Sequence, residues 1–307
     1  MDQKRAWGDF WTREAANKTK GGKSGGCLPD AYAAIDAAQR QVWGAFAENL
    51  SRNARVLDVA TGDGRVMAHL LAKRRDLKLI GTDLAPRLPE PPRGTRLKAG
   101  VSMEELPFPD NRFAAVTSQF GFEYADMSIA ARELARVLVQ GGLIGLLMHR
   151  PDSPILEHNL RRRRQIEWAL KEKNVLAMAQ RHLQIRATGL SAIPEQIRAI
   201  AQEGHRRFGA GSAAWEIPEA VAQTLELGAT DHAANVAAIL RRITEQAENE
   251  MGRIASLEKA CHKAGDAGAL NSAFENAGLV IQQENEVCAP GESRAFATFR
   301  VLKARCE

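Results

Sequence analysis

Arg55-Val56-Leu57-Asp58-Val59-Ala60-Thr61-Gly62-Asp63-Gly64-Arg65-Val66 is the stretch whose reading decides the fold. Val56, Leu57 and Val59 form a short apolar run suited to a buried strand. Gly62 and Gly64 follow at once, and Val66, Leu70 and Leu71 then recur at helical spacing. The order is strand, tight glycine turn, helix. Glycines at such a turn let the backbone bend sharply and let a ligand approach main-chain N–H groups that a Cβ would shield. The helix that follows points its unpaired donors and partial positive charge at the same place.

Leu77-Lys78-Leu79-Ile80-Gly81-Thr82-Asp83 reads as the next strand, ending in an acid. Together the two halves make a βαβ unit with a carboxylate at the tip of its second strand, where it can accept bonds from both hydroxyls of a ribose. The unit therefore predicts a nucleoside-containing cofactor on a parallel sheet. A dinucleotide fingerprint needs a third glycine where this chain has Met67, so the turn departs from that pattern.

Asp58-Val59-Ala60-Thr61-Gly62-Asp63-Gly64 resembles motif I of the class I S-adenosylmethionine (SAM)-dependent methyltransferases, usually acid-x-Gly-x-Gly-x-Gly, with Ala60 in place of the first glycine. Two later segments extend the resemblance to the ubiquinone/menaquinone C-methyltransferase-like (methyltransferase type 11-like) subgroup. Glu104-Glu105-Leu106-Pro107-Phe108-Pro109-Asp110-Asn111-Arg112-Phe113-Ala114-Ala115-Val116 is similar to its "LPFPDNSFD-V" segment. Glu133-Leu134-Ala135-Arg136-Val137-Leu138 with Gly141-Gly142 is similar to its "E-x-x-R-V-L-x-x-G-G" segment. These blocks fall in the subgroup's order over residues 54–150.

The resemblance implies an α/β, Rossmann-like seven-stranded sheet of order 3-2-1-4-5-7-6, with SAM as cofactor and S-adenosylhomocysteine (SAH) as its product. It places Asp58, Ala60, Thr61, Gly62 and Gly64 at the methionine end of the cofactor and Asp83 on the ribose, with Leu84 beside it. Ser102 and Met103 would flank the adenine, where the subgroup usually has an Asp-Ala pair, and Gln119 would line the floor. Met103 as ordinary core filler is an equal alternative.

The remaining chain divides by pattern. Residues 1–50 form an N-terminal helical or lid segment. Trp7, Phe10 and Trp11 precede Thr19-Lys20-Gly21-Gly22-Lys23-Ser24-Gly25-Gly26, a run too glycine-rich for a fixed element. It is either a connector or a loop that orders over the cofactor. It is not a phosphate loop, because Asn17 stands where the first glycine is needed and no strand precedes it. Ile35, Val42, Trp43 and Phe46 predict a helix before the first strand. Residues 51–150 and 266–307 form the cofactor-binding sheet domain. Ser128 is expected to cap a helix running to Leu138, Gly141-Gly142 to close it, and Leu143–Met148 to be strand five, ending at His149.

Residues 151–265 read as an α-helical insertion, a lid or a dimerisation surface. Val236, Ile239, Leu240, Ile243, Met251, Ile254 and Leu257 trace one face of a helix from about Asp231 to Lys263, roughly 45–50 Å long. Pro194 and Pro218 suit first-turn positions of two shorter helices. Gly278 reads as a helix stop, and Leu279–Ile281 and Arg294–Leu302 as the last strands.

His149, at the ligand end of a central strand, is the candidate catalytic base for an acceptor; a histidine satisfied by hydrogen bonds at a strand end is the other reading. The four cysteines, Cys27, Cys261, Cys288 and Cys306, lack metal or redox spacing, so no metal is expected. No membrane-length apolar run or leader-like segment is present, which leads us to expect a cytoplasmic protein.

A small-molecule acceptor is the leading expectation. The net charge of +5 and Arg161-Arg162-Arg163-Arg164 keep an RNA methyltransferase in view, although a solvated helix face with Glu157, Glu167 and Glu172 explains that run as well. No adenine-specific Asn/Asp-Pro-Pro-Tyr/Phe signature and no Pro-Cys pair occurs. A nicotinamide-dependent oxidoreductase and a non-catalytic SAM-binding protein complete the alternatives.

Overall fold

The computed structural model describes residues 33–186 and 195–305. The chain divides into two compact units. One takes in the chain through Leu156 and from Ser256 onward; the other is Glu157–Ala255. The expectations for the tryptophan cluster, the glycine-rich run, Pro194, Cys27 and Cys306 fall outside the described residues.

The first unit holds one seven-stranded sheet of order β3-β2-β1-β4-β5-β7-β6. Its strands are β1 (Arg55–Val59), β2 (Lys78–Asp83), β3 (Arg96–Ala99), β4 (Phe113–Gln119), β5 (Leu138–His149), β6 (Leu279–Cys288) and β7 (Ala295–Ala304). The first five run parallel, and β7 is antiparallel to both β5 and β6. Strand order reverses between β1 and β4, so the carboxyl ends of those two strands flank the crevice where an open α/β sheet binds its ligand.

Helices α1 (Ala33–Glu48), α2 (Arg65–Lys73) and α3 (Met127–Val137) pack on the sheet. Trp43 of α1 is fully buried and packs edge-on against Phe46 and Phe299. Both α1 rings press on Gly145 of β5, where a Cβ would come within 3.0 Å of each. A glycine in mid-strand thus marks the close approach of a helix. The main core joins Leu57, Val59, Val116, Ile144 and Leu146 of the sheet to Leu134 and Val137 of α3 and to Leu270 and Phe274 of α9 (Ala267–Asn276). Gly278 stops α9 with φ 69, as its position suggested.

Two local expectations change. Helix α3 is capped by Asp126, whose Oδ1 accepts from the N–H groups of Ser128 and Ile129, and not by Ser128. The chain enters β5 directly after Val137, so Gly141 and Gly142 lie within the strand and do not close the helix. The pairing shifts between Phe113↔Leu138 and Ala115↔Leu143, and this irregularity absorbs Gly141 at φ 71.

The second unit is helical. It contains α5 (Val175–Arg186), α6 (Glu195–Phe208), α7 (Ala213–Leu227) and most of α4 (Pro154–Glu167) and α8 (Ala233–Gly265). Trp168, Leu183, Ile197, Val221, Leu225, Val236 and Leu240 form its core. The long helix matches its periodicity, except that Ile239 is exposed.

Pro218 is buried inside α7 and not at its first turn, because the helix already begins at Ala213. Lacking an N–H, Pro218 leaves the Ala214 carbonyl without its i→i+4 partner. That carbonyl lies against Gly204 of α6, where any Cβ would collide with it. Gly204→Val is therefore expected to cost about 1–3 kcal/mol by overpacking. Thermal unfolding followed by circular dichroism checks this, and an unchanged melting temperature would contradict it.

Candidate functional site

The turn after β1 is held from three directions. Thr61 donates its N–H to Thr82 O of β2 (3.0 Å). Its hydroxyl donates to Asp58 Oδ2 (2.6 Å), while the Thr117 hydroxyl of β4 donates to Asp58 Oδ1 (2.8 Å). Gly81 of β2 leaves room for the Thr61 side chain, which a Cβ there would meet at 2.6 Å. Ala60 and Gly62 both have φ 53. Ala60 therefore carries a Cβ in a left-handed conformation that favours glycine. That methyl group packs on Gly121 just beyond β4, where a second Cβ could not fit. Gly64 is different: a Cβ there would strike the Pro92 ring at 2.7 Å, so its bareness makes room for the proline-rich loop.

Asp83 closes the cradle. Its Oδ2 accepts the Gly62 N–H and its Oδ1 accepts the Ala85 N–H, each at 2.9 Å. Each oxygen keeps a second lone pair. Val101 N donates to Asp83 O (2.9 Å) and Gly100 N to Ala85 O (3.0 Å), which brings the segment after β3 to the same tip. Ser102 there is half-buried, and its Oγ accepts from Glu104 N (3.2 Å). Met103 is partly buried against the main core. Leu84, next to Asp83, is 41% exposed, an apolar side chain left open beside the cradle.

Charge is one-sided at this turn. Burial pushes the Asp58 carboxyl up to about 7 against the lowering effect of the two threonine hydroxyls, and the nearby Asp83 and Asp63 raise it further. Burial also raises Asp83, opposed by the backbone N–H groups it accepts. A site that keeps acids so close gains from a bound cation. SAM carries a sulfonium and an α-ammonium, which the charge at such a turn would attract, and a ribose diol, which would suit the oxygens of Asp83. The pyrophosphate of a dinucleotide would meet like charge here.

At the carboxyl ends of β4 and β5 the side chains converge differently. Gln119, at the end of β4, accepts the Trp43 Nε1–H on its Oε1 (2.7 Å), which ties α1 to the crevice. His149, at the end of β5, is buried. Its Nδ1 and its backbone N–H both meet Glu123 Oε1, at 2.7 and 2.8 Å. Phe120 packs 4.2 Å from the imidazole centroid, and Tyr124 stands edge-on at 6.0 Å. Glu123 is fully buried in the turn Phe122–Tyr124. The sequence reading gave it no role; the signal was a lone acid inside an otherwise apolar and aromatic run.

Residues 57–146 match the family model for the methyltransferase domain. From β1 to β5 the sheet domain is thus similar to a methyltransferase domain. A demethylmenaquinone methyltransferase of Deinococcus radiodurans is 38% identical over 119 residues, covering 35% of this chain and 48% of that protein. A 2-phytyl-1,4-naphtoquinone methyltransferase of Synechococcus elongatus is 36% identical over 115 residues, with 33% and 49% covered. The chain thus spans about half the length of the curated relatives it matches. The solved YcgJ protein of Bacillus subtilis is 25% identical, covers 42% of this chain and 58% of its own, and has a TM-score of 0.33. The matched part of the methyltransferase domain ends at residue 146, so the match takes in the turn after β1, Asp83 and Glu123 but stops short of His149. Among the described residues no group of His, Cys, Asp and Glu could hold a metal ion, and no helix is long and apolar enough to cross a membrane.

Proposed function

We propose that the protein is a SAM-dependent methyltransferase acting on a small-molecule acceptor. The observation that carries this reading is the acid-lined cradle formed by Asp58, Gly62 and Asp83, set at the point where strand order reverses. When bound, SAM supplies an electrophilic methyl group on a sulfonium that leaves as a neutral thioether. The chain's own work is to hold and orient. Asp58, through the turn it fixes, and Ala60, Thr61, Gly62 and Gly64 receive the methionine end. Asp83 takes the ribose hydroxyls on its spare lone pairs. Leu84, Ser102 and Met103 border the adenine, and Gln119 forms part of the floor. His149 faces the acceptor. Positioning of this kind supplies much of the acceleration in group transfer.

The names of the quinone methyltransferase relatives support a small, partly apolar acceptor. The arginine run gives little support to an RNA substrate. Arg162 is engaged by Glu250 and Glu216 at 2.5 and 2.8 Å, and Arg161 by Glu157 at 3.2 Å. Mass spectrometry of small molecules released from the natively purified protein tests the proposal. SAM or SAH, with or without an acceptor, is the expected finding; a nicotinamide dinucleotide in its place would overturn it.

A further inference from the structure

We infer that Glu123 and His149 form a proton-accepting dyad, and that the acceptor is a planar compound presenting a hydroxyl group to His149 Nε2. The inference rests on the methyltransferase reading above and names the substrate class of that site.

Glu123 Oε1 takes the His149 backbone N–H as well as facing Nδ1, so it serves as an acceptor and the ring contributes its proton. The neutral imidazole then carries its hydrogen on Nδ1 and a lone pair on Nε2. None of the described residues hydrogen-bonds Nε2. Glu123 is completely buried, and its second oxygen, Oε2, is also buried without a hydrogen-bond partner among the described residues. A carboxylate in this position is costly unless it faces a cation. A proton arriving on Nε2 turns His149 into an imidazolium and provides that cation 2.7 Å away.

The dyad also lies beside the cofactor cradle. Glu123 belongs to the same short segment as Gly121, whose Cα backs onto the Ala60 methyl group of the turn after β1. Phe120 has φ 54, a left-handed conformation that a bulky residue rarely takes. Its N–H is fixed on Leu147 O (2.7 Å), and its ring stands against the imidazole. Phe120 and Tyr124, both half-buried, give the base two aromatic neighbours, and flat rings pack well against such surfaces.

The acceptor's O–H bond breaks with its proton going to Nε2. The oxygen lone pair forms the new bond to the methyl carbon, and the carbon–sulfur bond breaks with its electrons staying on sulfur. An imidazole is suited to this work on phenolic and enolic hydroxyls, whose acidity lies near enough to its own. Glu123 is a positioning residue: it sets the tautomer and balances the charge without touching the acceptor.

The test uses the full chain saturated with SAH, and calorimetric titration with 2-naphthol and with 2-methoxynaphthalene, its methyl ether. We expect 2-naphthol to bind at least about tenfold more tightly, because the acceptor Nε2 favours the partner that brings a proton over the one that lacks it. In His149→Phe the two should bind within about twofold of each other. Equal binding to wild type, or binding of neither probe, overturns the substrate class. Imidazole nitrogen NMR of histidine-labelled protein at pH 8 tests the dyad itself. Wild type and Glu123→Gln, which retains an acceptor oxygen, should show the Nδ1–H tautomer at His149, whereas Glu123→Met should show Nε2–H. An Nε2–H tautomer in wild type, or no change in Glu123→Met at an unaltered melting temperature, overturns it. Failure of SAH to bind wild type at all would instead sink the methyltransferase reading, and so separates the two failures.

Discussion

Asp83→Ala is expected to weaken SAM binding about a hundredfold, or ~2.7 kcal/mol. Two losses add. The first is the pair of charge-assisted bonds from the carboxylate to the ribose hydroxyls, together worth about tenfold. The second is the tether between Asp83 and the glycine turn. Asp83 Oδ2 holds the Gly62 N–H and Oδ1 the Ala85 N–H, and without that tether the glycine turn must be ordered as SAM binds, at about a further tenfold. Asp83→Asn, which retains one acceptor oxygen, should lose about tenfold. Titration calorimetry of both variants decides the matter; equal affinity of Asp83→Ala and wild type would remove Asp83 from the cofactor site.

The second large effect is on pH. Burial pushes Asp58 up to about 7 in the folded chain, from 3.8 in the unfolded one. Between those values the folded state holds a proton that the unfolded state has released. The contribution of Asp58 to stability is therefore greatest below pH 4, falls as pH rises towards 7, and is level above that. The total change is on the order of 4 kcal/mol for the cofactor-free protein. Urea unfolding at pH 5 and pH 8 should show the fall, and Asp58→Asn should flatten it, its Oδ1 accepting from one of the two threonine hydroxyls and its Nδ2 donating to the other. A wild-type profile no steeper than that of Asp58→Asn would contradict the assignment. Because SAM brings positive charge to this turn, it should raise the melting temperature more at pH 8 than at pH 5.

What was legible in the sequence follows from how local its cause was. Val56-Leu57-Asp58-Val59, the glycines after it and the acid at Asp83 lie within one βαβ unit, and each preference there agrees with its neighbours. The sheet order came through the family resemblance; the periods alone gave strands without an order. Where the reading missed, a distant residue decided. Asp126 and Ser128 are both good cap residues, but the Asp126 N–H is held by Glu104 Oε1 (2.6 Å), twenty-two positions back, which fixes the entry to α3. Pro218 sits in a helix interior because Gly204, on another helix, makes room for the carbonyl it frees. Glu123 gained a role only when β5 brought His149 beside it, across twenty-six residues.

Calorimetric titration of the purified full chain with SAH and, in parallel, with NADH tests the central claim most directly. We expect one saturable SAH site per chain with micromolar or tighter affinity, and no binding of NADH. Binding of NADH without SAH would contradict it and assign the cradle between β1 and β2 to a different chemistry.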